Sequence, residues 1–232
     1  MMEVRKAQDR GASRLPWLDS RHTFSFAEYY DPKQMGFSVL RVINDDRVAG
    51  GGGFPSHGHR DMEIITYVMA GALEHRDSLD NHSVIPAGDV QRMTAGSGIV
   101  HSEFNHSPSE TVHFLQIWVL PSRNGLAPGY EQKTLEKDPA RGRFRLVVAP
   151  EPRDGALRIN QDARLYIATF DAGQSAVAEL ERGRRAYFHV SRGKLAIDGV
   201  ELGEGDGARI ADESRIDVTA ASSAEVLFFD LP

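Results

Sequence analysis

Two short pairs of side chains in this sequence have the types and the spacing of metal ligands. His57 and His59 stand in Ser-His-Gly-His-Arg, and His101 and Glu103 stand in Val-His-Ser-Glu-Phe. Each pair is spaced i, i+2, and because successive side chains of a β-strand point to opposite faces, both members of a pair would project to the same side. Two neighbouring strands would then direct three imidazoles and one carboxylate at one point. This donor set suits a first-row divalent metal ion.

The elements that must position these residues are predicted to be strands. Gly, Pro, Asp and Asn separate a series of runs of apolar, β-branched and aromatic residues. These runs are 37–43, 62–69, 114–120, 144–148, 165–170, 186–190 and 226–231. Many short strands without a long stretch of helical periodicity favour a sandwich or a barrel. Helical content is predicted to be small, with short turns near residues 27–30 and 134–137.

Composition and charge exclude several classes of protein. The chain has 232 residues, 41% of them hydrophobic and 26% charged, as in an ordinary globular protein. It contains no cysteine, which excludes thiolate metal sites, disulfides and cysteine nucleophiles. The net charge is −6 and there is no dense Lys/Arg cluster, so a nucleic-acid partner is disfavoured. The N-terminus lacks the apolar core of a signal peptide and no apolar run is long enough to span a membrane, so a cytoplasmic soluble protein is expected.

The two halves of the chain share a pattern that predicts an internal repeat. In the first half, a strand and a second strand flank Gly71, and Gly88-Asp89 and a closing apolar strand that ends in proline follow. In the second half, Gly193 and Gly205-Asp206 occupy the same places, and the closing strand again ends in proline. Two stacked barrels of similar topology explain this order better than one large barrel, and chance similarity between short strands is the alternative. The second half has neither His-x-His nor His-x-Glu, so only the first barrel is expected to bind metal.

The residues around the two pairs match a known motif. Segment 51–63 resembles the first cupin motif, with a glycine, then His-x-His, then a glutamate. Pro86-Ala87-Gly88 resembles the start of the second cupin motif, but the histidine usual three residues after that glycine is replaced by Gln91. Segment 93–103, Met-Thr-Ala-Gly-Ser-Gly-Ile-Val-His-Ser-Glu, follows instead. This arrangement is similar to that of the pirin family of bicupins, and segment 17–32 resembles the bacterial pirin-like quercetinases in particular.

The resemblance implies a fold and a metal site. The fold would be an all-β bicupin, with two stacked cupin barrels of the jelly-roll type and little helix. Residues 1–135 would form the N-terminal metal-binding cupin, and residues 136–232 a degenerate C-terminal cupin without metal. Fe(II) is the favoured metal, and ligand type alone leaves Mn, Ni, Cu and Zn as alternatives. The implied metal ligands are His57, His59, His101 and Glu103.

The resemblance also implies a reaction. It would be a metal-dependent dioxygenation that cleaves the heterocyclic ring of flavonols such as quercetin with O2 and releases CO. Glu103 would be the catalytic residue, accepting the hydroxyl proton of the flavonol. The alternative is a non-catalytic metal-binding regulatory or interaction protein of the pirin type, with a protein partner. A third interpretation keeps enzyme status but assigns another cupin reaction, such as an isomerisation.

Further residues have two interpretations each. Glu63 ligates metal in many cupins, but here it is expected to hold His59 or Arg60 in orientation. His75 either faces the pocket or lies on the surface of a hairpin. His22 is expected to make packing hydrogen bonds rather than substrate contacts. Phe54, just before the first pair of histidines, is the best candidate for a pocket wall.

Overall fold

Alternating side chains and glycine turns fold this chain almost entirely into strands. The computed structural model describes residues 1–135 and 141–232. These residues form 22 strands and one 3-10 helix, Ala7–Asp9. The strands are β1 (Met2–Arg5), β2 (Gly11–Leu15), β3 (Leu18–His22), β4 (Leu40–Val48), β5 (Gly53–His59), β6 (Glu63–Ala70), β7 (Ala72–Asp77), β8 (His82–Pro86), β9 (Asp89–Thr94), β10 (Ile99–Asn105), β11 (Val112–Val119), β12 (Gly129–Thr134), β13 (Arg145–Ala149), β14 (Leu157–Arg158), β15 (Arg164–Phe170), β16 (Ser175–Glu179), β17 (Arg185–Arg192), β18 (Lys194–Ile197), β19 (Val200–Gly203), β20 (Gly207–Ala211), β21 (Arg215–Ala220) and β22 (Ala224–Leu231).

The strands are arranged as two barrels of the same topology, which confirms the predicted repeat and the all-β bicupin fold. The N-terminal barrel combines a seven-stranded sheet, β12-β9-β6-β11-β4-β3-β2, with a four-stranded sheet, β5-β10-β7-β8. The C-terminal barrel combines β1-β20-β17-β22-β15-β13-β14 with β16-β21-β18-β19. Strand β1, the first of the chain, pairs with β20 and takes the edge place that β12 takes in the N-terminal barrel. The division predicted after residue 135 borders the undescribed residues 136–140 and stays a prediction.

Glycines with positive φ make the equivalent turns of the two barrels. Gly71 links β6 to β7 and Gly193 links β17 to β18, each with a φ of +73° that favours glycine. A Cβ atom on Gly71 would lie 3.0 Å from the carbonyl oxygen of Thr111. The repeated glycines of the sequence are therefore the residues that both turns require.

Three kinds of apolar core stabilise the fold. The facing seven-stranded sheets bury one cluster between the barrels, including Ile65 and Leu115 from one sheet and Leu165 and Phe229 from the other. One large, continuous apolar cluster fills the C-terminal barrel. The N-terminal barrel contains two separate apolar clusters instead, one around Phe114 and one nearer the start of β6. The space between these two clusters is polar, and the candidate site lies there.

The apolar runs of the sequence all correspond to strands, but the first is displaced. Residues 37–43 were predicted as a strand, whereas β4 begins at Leu40 and continues through Asn44, Asp45 and Asp46 to Val48. Phe37 and Leu40 form a tight bridge before it. The polar residues stay in the strand because they are buried against partners on both faces of the sheet.

The predicted turns have mixed outcomes. Residues 27–30 contain a tight turn closed by hydrogen bonds between Phe26 and Tyr29, not a helix. For the turn near 134–137, Thr134 ends β12, and residues from 136 lie outside the described part of the chain. No helix within residues 1–135 and 141–232 has the length and apolar character needed to cross a membrane.

Candidate metal centre

The pairing of β5 with β10 brings the two predicted ligand pairs together. Along β10 the burial alternates, so that His101 and Glu103 point into the barrel while Val100 and Phe104 are exposed. His57 is the cross-strand partner of His101. The register of the two strands then shifts, so that Glu103, two residues after His101, lies opposite Phe54, three residues before His57. His101 and Glu103 thus share one face of the strand, as their i, i+2 spacing predicted, and the structure shows that this face is the inward one.

The imidazoles of His57, His59 and His101 converge on one point. The Nε2 atoms of His57 and His101 are 3.1 Å apart, and the three ring centroids are separated by 4.5 to 4.8 Å. Two nitrogens at adjacent positions around one ion, each with a bond of about 2.1 Å, would be about 3 Å apart. His101 is buried and its Nδ1 atom has no hydrogen-bond partner among the described residues. This donor set fits a divalent metal ion.

Burial keeps the imidazoles of His59 and His101 neutral, which is the form that binds metal. Burial, with the neighbouring imidazoles adding to it, lowers the pKa of His101 to about 3 and that of His59 to about 4. His57 is partly exposed, and its Nδ1 atom lies 2.8 Å from the carbonyl oxygen of Pro55. With a proton on Nδ1 donated to that oxygen, the lone pair of Nε2 faces the cluster.

Two amides hold the carboxylate of Glu103. The Nε2 atom of Gln91 donates to Oε1 at 2.8 Å, and the Nε2 atom of Gln116 donates to Oε2 at 2.7 Å. Thr66 joins the two glutamines, since it accepts from Gln91 and donates to Gln116 at 2.8 Å each. Gln91, which replaces the usual cupin histidine, therefore orients the carboxylate. The sequence did not lead us to Gln116 and Thr66. Because side chains alternate along a strand, their positions on the inward faces of β11 and β6 could have indicated them.

His75 lies inside the barrel, so the interpretation as a surface residue is wrong. It is the cross-strand partner of Glu103 on β7 and is fully buried. Its ring stacks on Tyr130 at 4.7 Å, and its Nε2 atom lies 3.1 Å from Asp77. The ligand atoms of His75, His101 and Glu103 lie within 4.8 Å of one another, as do those of the three converging histidines.

Glu63 faces away from the cluster and does not hold His59 or Arg60. Odd positions of β6 point to the C-terminal barrel, as Ile65 does in the core between the barrels. The carboxylate of Glu63 is buried and accepts hydrogen bonds from Thr94 and Asn160 at 3.1 to 3.3 Å. Burial raises the pKa of Glu63 above its ordinary value. Its contacts join the N-terminal barrel to the segment that follows it.

The aromatic wall beside the histidines differs from the predicted one. Trp118 lies edge-to-face with His59 at 5.0 Å and with Phe26 at 5.3 Å. Phe54 instead packs on Trp17 and belongs to the deeper apolar cluster. His22 is buried and makes the expected hydrogen bonds, to Ser13 and Asn44.

The equivalent layer of the C-terminal barrel is apolar, which explains why it lacks a similar cluster. Counting from Gly71 and Gly193, Thr66 corresponds to Phe188, and the strand pairing matches Gln116 with Phe228. Phe188 and Phe228 stack at 4.9 Å, where the N-terminal barrel has its amide network. Within the described residues, clusters of metal-binding side chains occur only in the N-terminal barrel.

Comparison with known proteins agrees with this architecture. The Pirin family model matches residues 3–119, and the model for the quercetinase C-terminal cupin domain matches residues 146–231. The chain belongs to the pirin family. A protein named quercetin 2,3-dioxygenase from Escherichia coli (strain K12) is 48% identical over 232 residues, which cover 100% of this pirin and 99% of that protein. A pirin-like protein of Caulobacter vibrioides is 44% identical over 228 residues, 97% of this pirin and 98% of that protein.

A solved structure of a relative contains a metal. The crystal structure of the bacterial pirin YhhW of Escherichia coli in complex with nickel(II) has a TM-score of 0.95 and 47% identity to this pirin, covering 100% of this chain and 99% of that one. Nickel(II) belongs to the class of divalent ions that imidazole and carboxylate donors suit. The predicted kinship with pirin-like proteins named quercetin 2,3-dioxygenase is confirmed.

Proposed function

We propose that this pirin is a metal-dependent dioxygenase that opens the heterocyclic ring of flavonols such as quercetin with O2 and releases CO. One observation carries the proposal. Three imidazoles, two of them kept neutral by burial, converge beside a fixed carboxylate, in a chain 48% identical along its whole length to a protein named quercetin 2,3-dioxygenase.

The proposed centre holds one divalent ion, with Fe(II) favoured and Mn, Ni, Cu and Zn as alternatives. Its ligands are His57, His59, His101 and Glu103. Such an ion would supply Lewis acidity toward the flavonol oxygens and a partner for O2. Because the imidazoles are neutral and the carboxylate carries one negative charge, the loaded centre keeps a positive charge. That charge favours the flavonol as its 3-hydroxyl anion.

Glu103 is the catalytic proton acceptor in this proposal. Oε1 accepts from Gln91 at 2.8 Å and lies 3.5 Å from the hydroxyl oxygen of Thr66, whereas Oε2 accepts only from Gln116 among the described residues and so keeps a free lone pair. Oε2 takes the proton of the 3-hydroxyl as the flavonol binds. The two amides keep the carboxylate in one orientation during this transfer, since Thr66 links them to each other.

The flat substrate lies at the mouth of the barrel rather than inside it. Apolar side chains fill the barrel interior beyond the amide network. Trp118 and Phe26 form an aromatic surface beside His59, and His57 is partly exposed. These rings would pack on the flavonol and exclude water from the reacting ring.

Oxygen consumption tests the proposed reaction. Protein loaded with each candidate metal should consume quercetin and O2 in equal amounts, with CO as a product, and a chelator should abolish the turnover. His101→Ala should lower kcat/KM by at least about 100-fold with the fold retained, since a metal ligand is lost. His82→Ala is the control, because His82 is an exposed histidine on the β7–β8 hairpin. If the loaded wild type consumes neither quercetin nor O2, the proposal fails and the non-catalytic alternative is favoured.

A further inference from the structure

His75 has the environment of a metal ligand without being one of the proposed four. Its side chain is fully buried, and its Nδ1 atom has no hydrogen-bond partner among the described residues. A buried ring nitrogen without a partner is costly unless something binds it. The ligand atoms of His101 and Glu103 lie within 4.8 Å of that of His75 and of each other.

A buried carboxylate fixes the orientation of His75. The Nε2 atom lies 3.1 Å from Oδ2 of Asp77. Asn81 donates to Asp77 from both its backbone and its side chain, and the backbone N–H of Leu79 donates at 2.8 Å. Every one of these contacts on Asp77 comes from an N–H group, so its carboxylate acts as the acceptor. The carboxylate thus accepts the Nε2 proton of His75, which leaves a lone pair on Nδ1.

A metal-binding histidine usually donates its other ring N–H to a carboxylate in this way, and the partner orients the ring and raises its basicity. The stacked ring of Tyr130 prevents His75 from turning. Glu103 also lacks a cationic partner, since its hydrogen bonds in the described part of the chain come from two amides and a hydroxyl. A cation beside it would offset the cost of burying its charge.

We propose that His75, His101 and Glu103 form a second cation position, more buried than the one that includes the partly exposed His57. The inference rests on the proposed metal centre, because both positions use His101. An ion therefore occupies one position or the other, and moves between them by exchanging His57 and His59 for His75.

Nickel binding in a variant without the outer histidines tests this proposal. His57→Ala and His59→Ala are combined, and equilibrium dialysis with metal analysis measures Ni²⁺ per chain. The double variant should still bind about one ion, held by the buried residues. Adding His75→Phe, which keeps a ring against Tyr130 but removes the ligand atom, should weaken that binding by at least about 100-fold. Adding His82→Phe, on the same hairpin, is the matched control and should leave it unchanged.

A second variant keeps the imidazole in place. In the same double-variant background, Asp77→Asn should weaken Ni²⁺ binding by about 10–100-fold, the usual effect of losing a carboxylate behind a ligating histidine. Circular dichroism and thermal melting confirm the fold of each variant. A double variant that binds no Ni²⁺, or one whose binding is insensitive to His75→Phe, overturns the proposal. This test measures Ni²⁺ binding and not turnover. Its result can therefore be interpreted even if the proposed dioxygenase reaction is not observed.

Discussion

His189 predicts a dependence of stability on pH that is independent of the metal centre. It lies on β17, fully buried between the barrels, and neither ring nitrogen has a hydrogen-bond partner among the described residues. Arg10, Asp45, Asp206 and His113 surround it. Burial, and after it the charge of Arg10, lowers the pKa of His189 to about 3.

The sign and size of the effect follow from this pKa. In the unfolded chain the imidazole has its ordinary pKa of about 6.5, so the unfolded state binds the proton more readily. The free energy of unfolding therefore falls as the pH drops below about 6.5, and the loss stops growing below the folded-state pKa of about 3. Between pH 7 and pH 5 the contribution of this one group is a loss of about 2 kcal/mol.

Urea unfolding of the metal-free protein at pH 7 and pH 5 measures this loss. His189→Leu removes the titrating group and breaks no hydrogen bond in the described structure. The variant should lose about 2 kcal/mol less than the wild type over this range. His82→Leu, at an exposed histidine, should behave like the wild type. If wild type and His189→Leu lose stability in parallel, the argument from burial is refuted.

Three further substitutions test other parts of the structure. Gln116→Leu removes a hydrogen bond to Glu103 and should lower the free energy of unfolding by about 2 kcal/mol in thermal melts. Gln8→Leu, at an exposed glutamine, should change it by less than about 0.5 kcal/mol, and equal effects would contradict the importance of the amide network. Trp118→Leu should raise KM for quercetin about 10-fold in steady-state kinetics and leave the nickel stoichiometry unchanged. A loss of kcat alone would argue against Trp118 as part of a substrate-binding wall. Phe228 lies between two stacked rings of the C-terminal barrel, so Phe228→Ala should lower the free energy of unfolding in urea by about 3–5 kcal/mol without altering nickel affinity. A loss of nickel affinity would show that the two barrels are coupled.

Much of the fold could be predicted from local features of the sequence. The seven apolar runs all became strands, because their β-branched and aromatic residues are bounded by turn residues. Gly71 and Gly193 marked equivalent turns, since both need positive φ. The end of β4, at Val48 rather than at residue 43, could not be placed in this way. Asn44 and Asp45 look like turn residues, and only partners on distant strands, among them His22 and His113, keep them in a strand.

The alternation of side chains between the two faces of a strand explains both the correct and the wrong predictions at the site. The i, i+2 pairs indicated that His101 and Glu103 share a face, and they do. This alternation does not tell which face of a strand is inward. Glu63 was therefore expected near His59, but it points to the other barrel. Trp118 was not predicted to lie beside the histidines, because it belongs to an apolar run whose composition indicates only a buried strand.

The sequence by itself determined the donor types, their spacing and the repeated barrel pattern, because periodicity and turn chemistry act over a few residues. The tertiary structure alone decided which side chains meet. Strand β10 pairs with β5 on one side and β7 on the other, and this pairing brings His57 and His75 to opposite sides of His101. Contacts between strands far apart in the chain depend on the packing of the whole barrel. The buried histidine with its carboxylate partner, and the cation position proposed there, could therefore be recognised only in the folded chain.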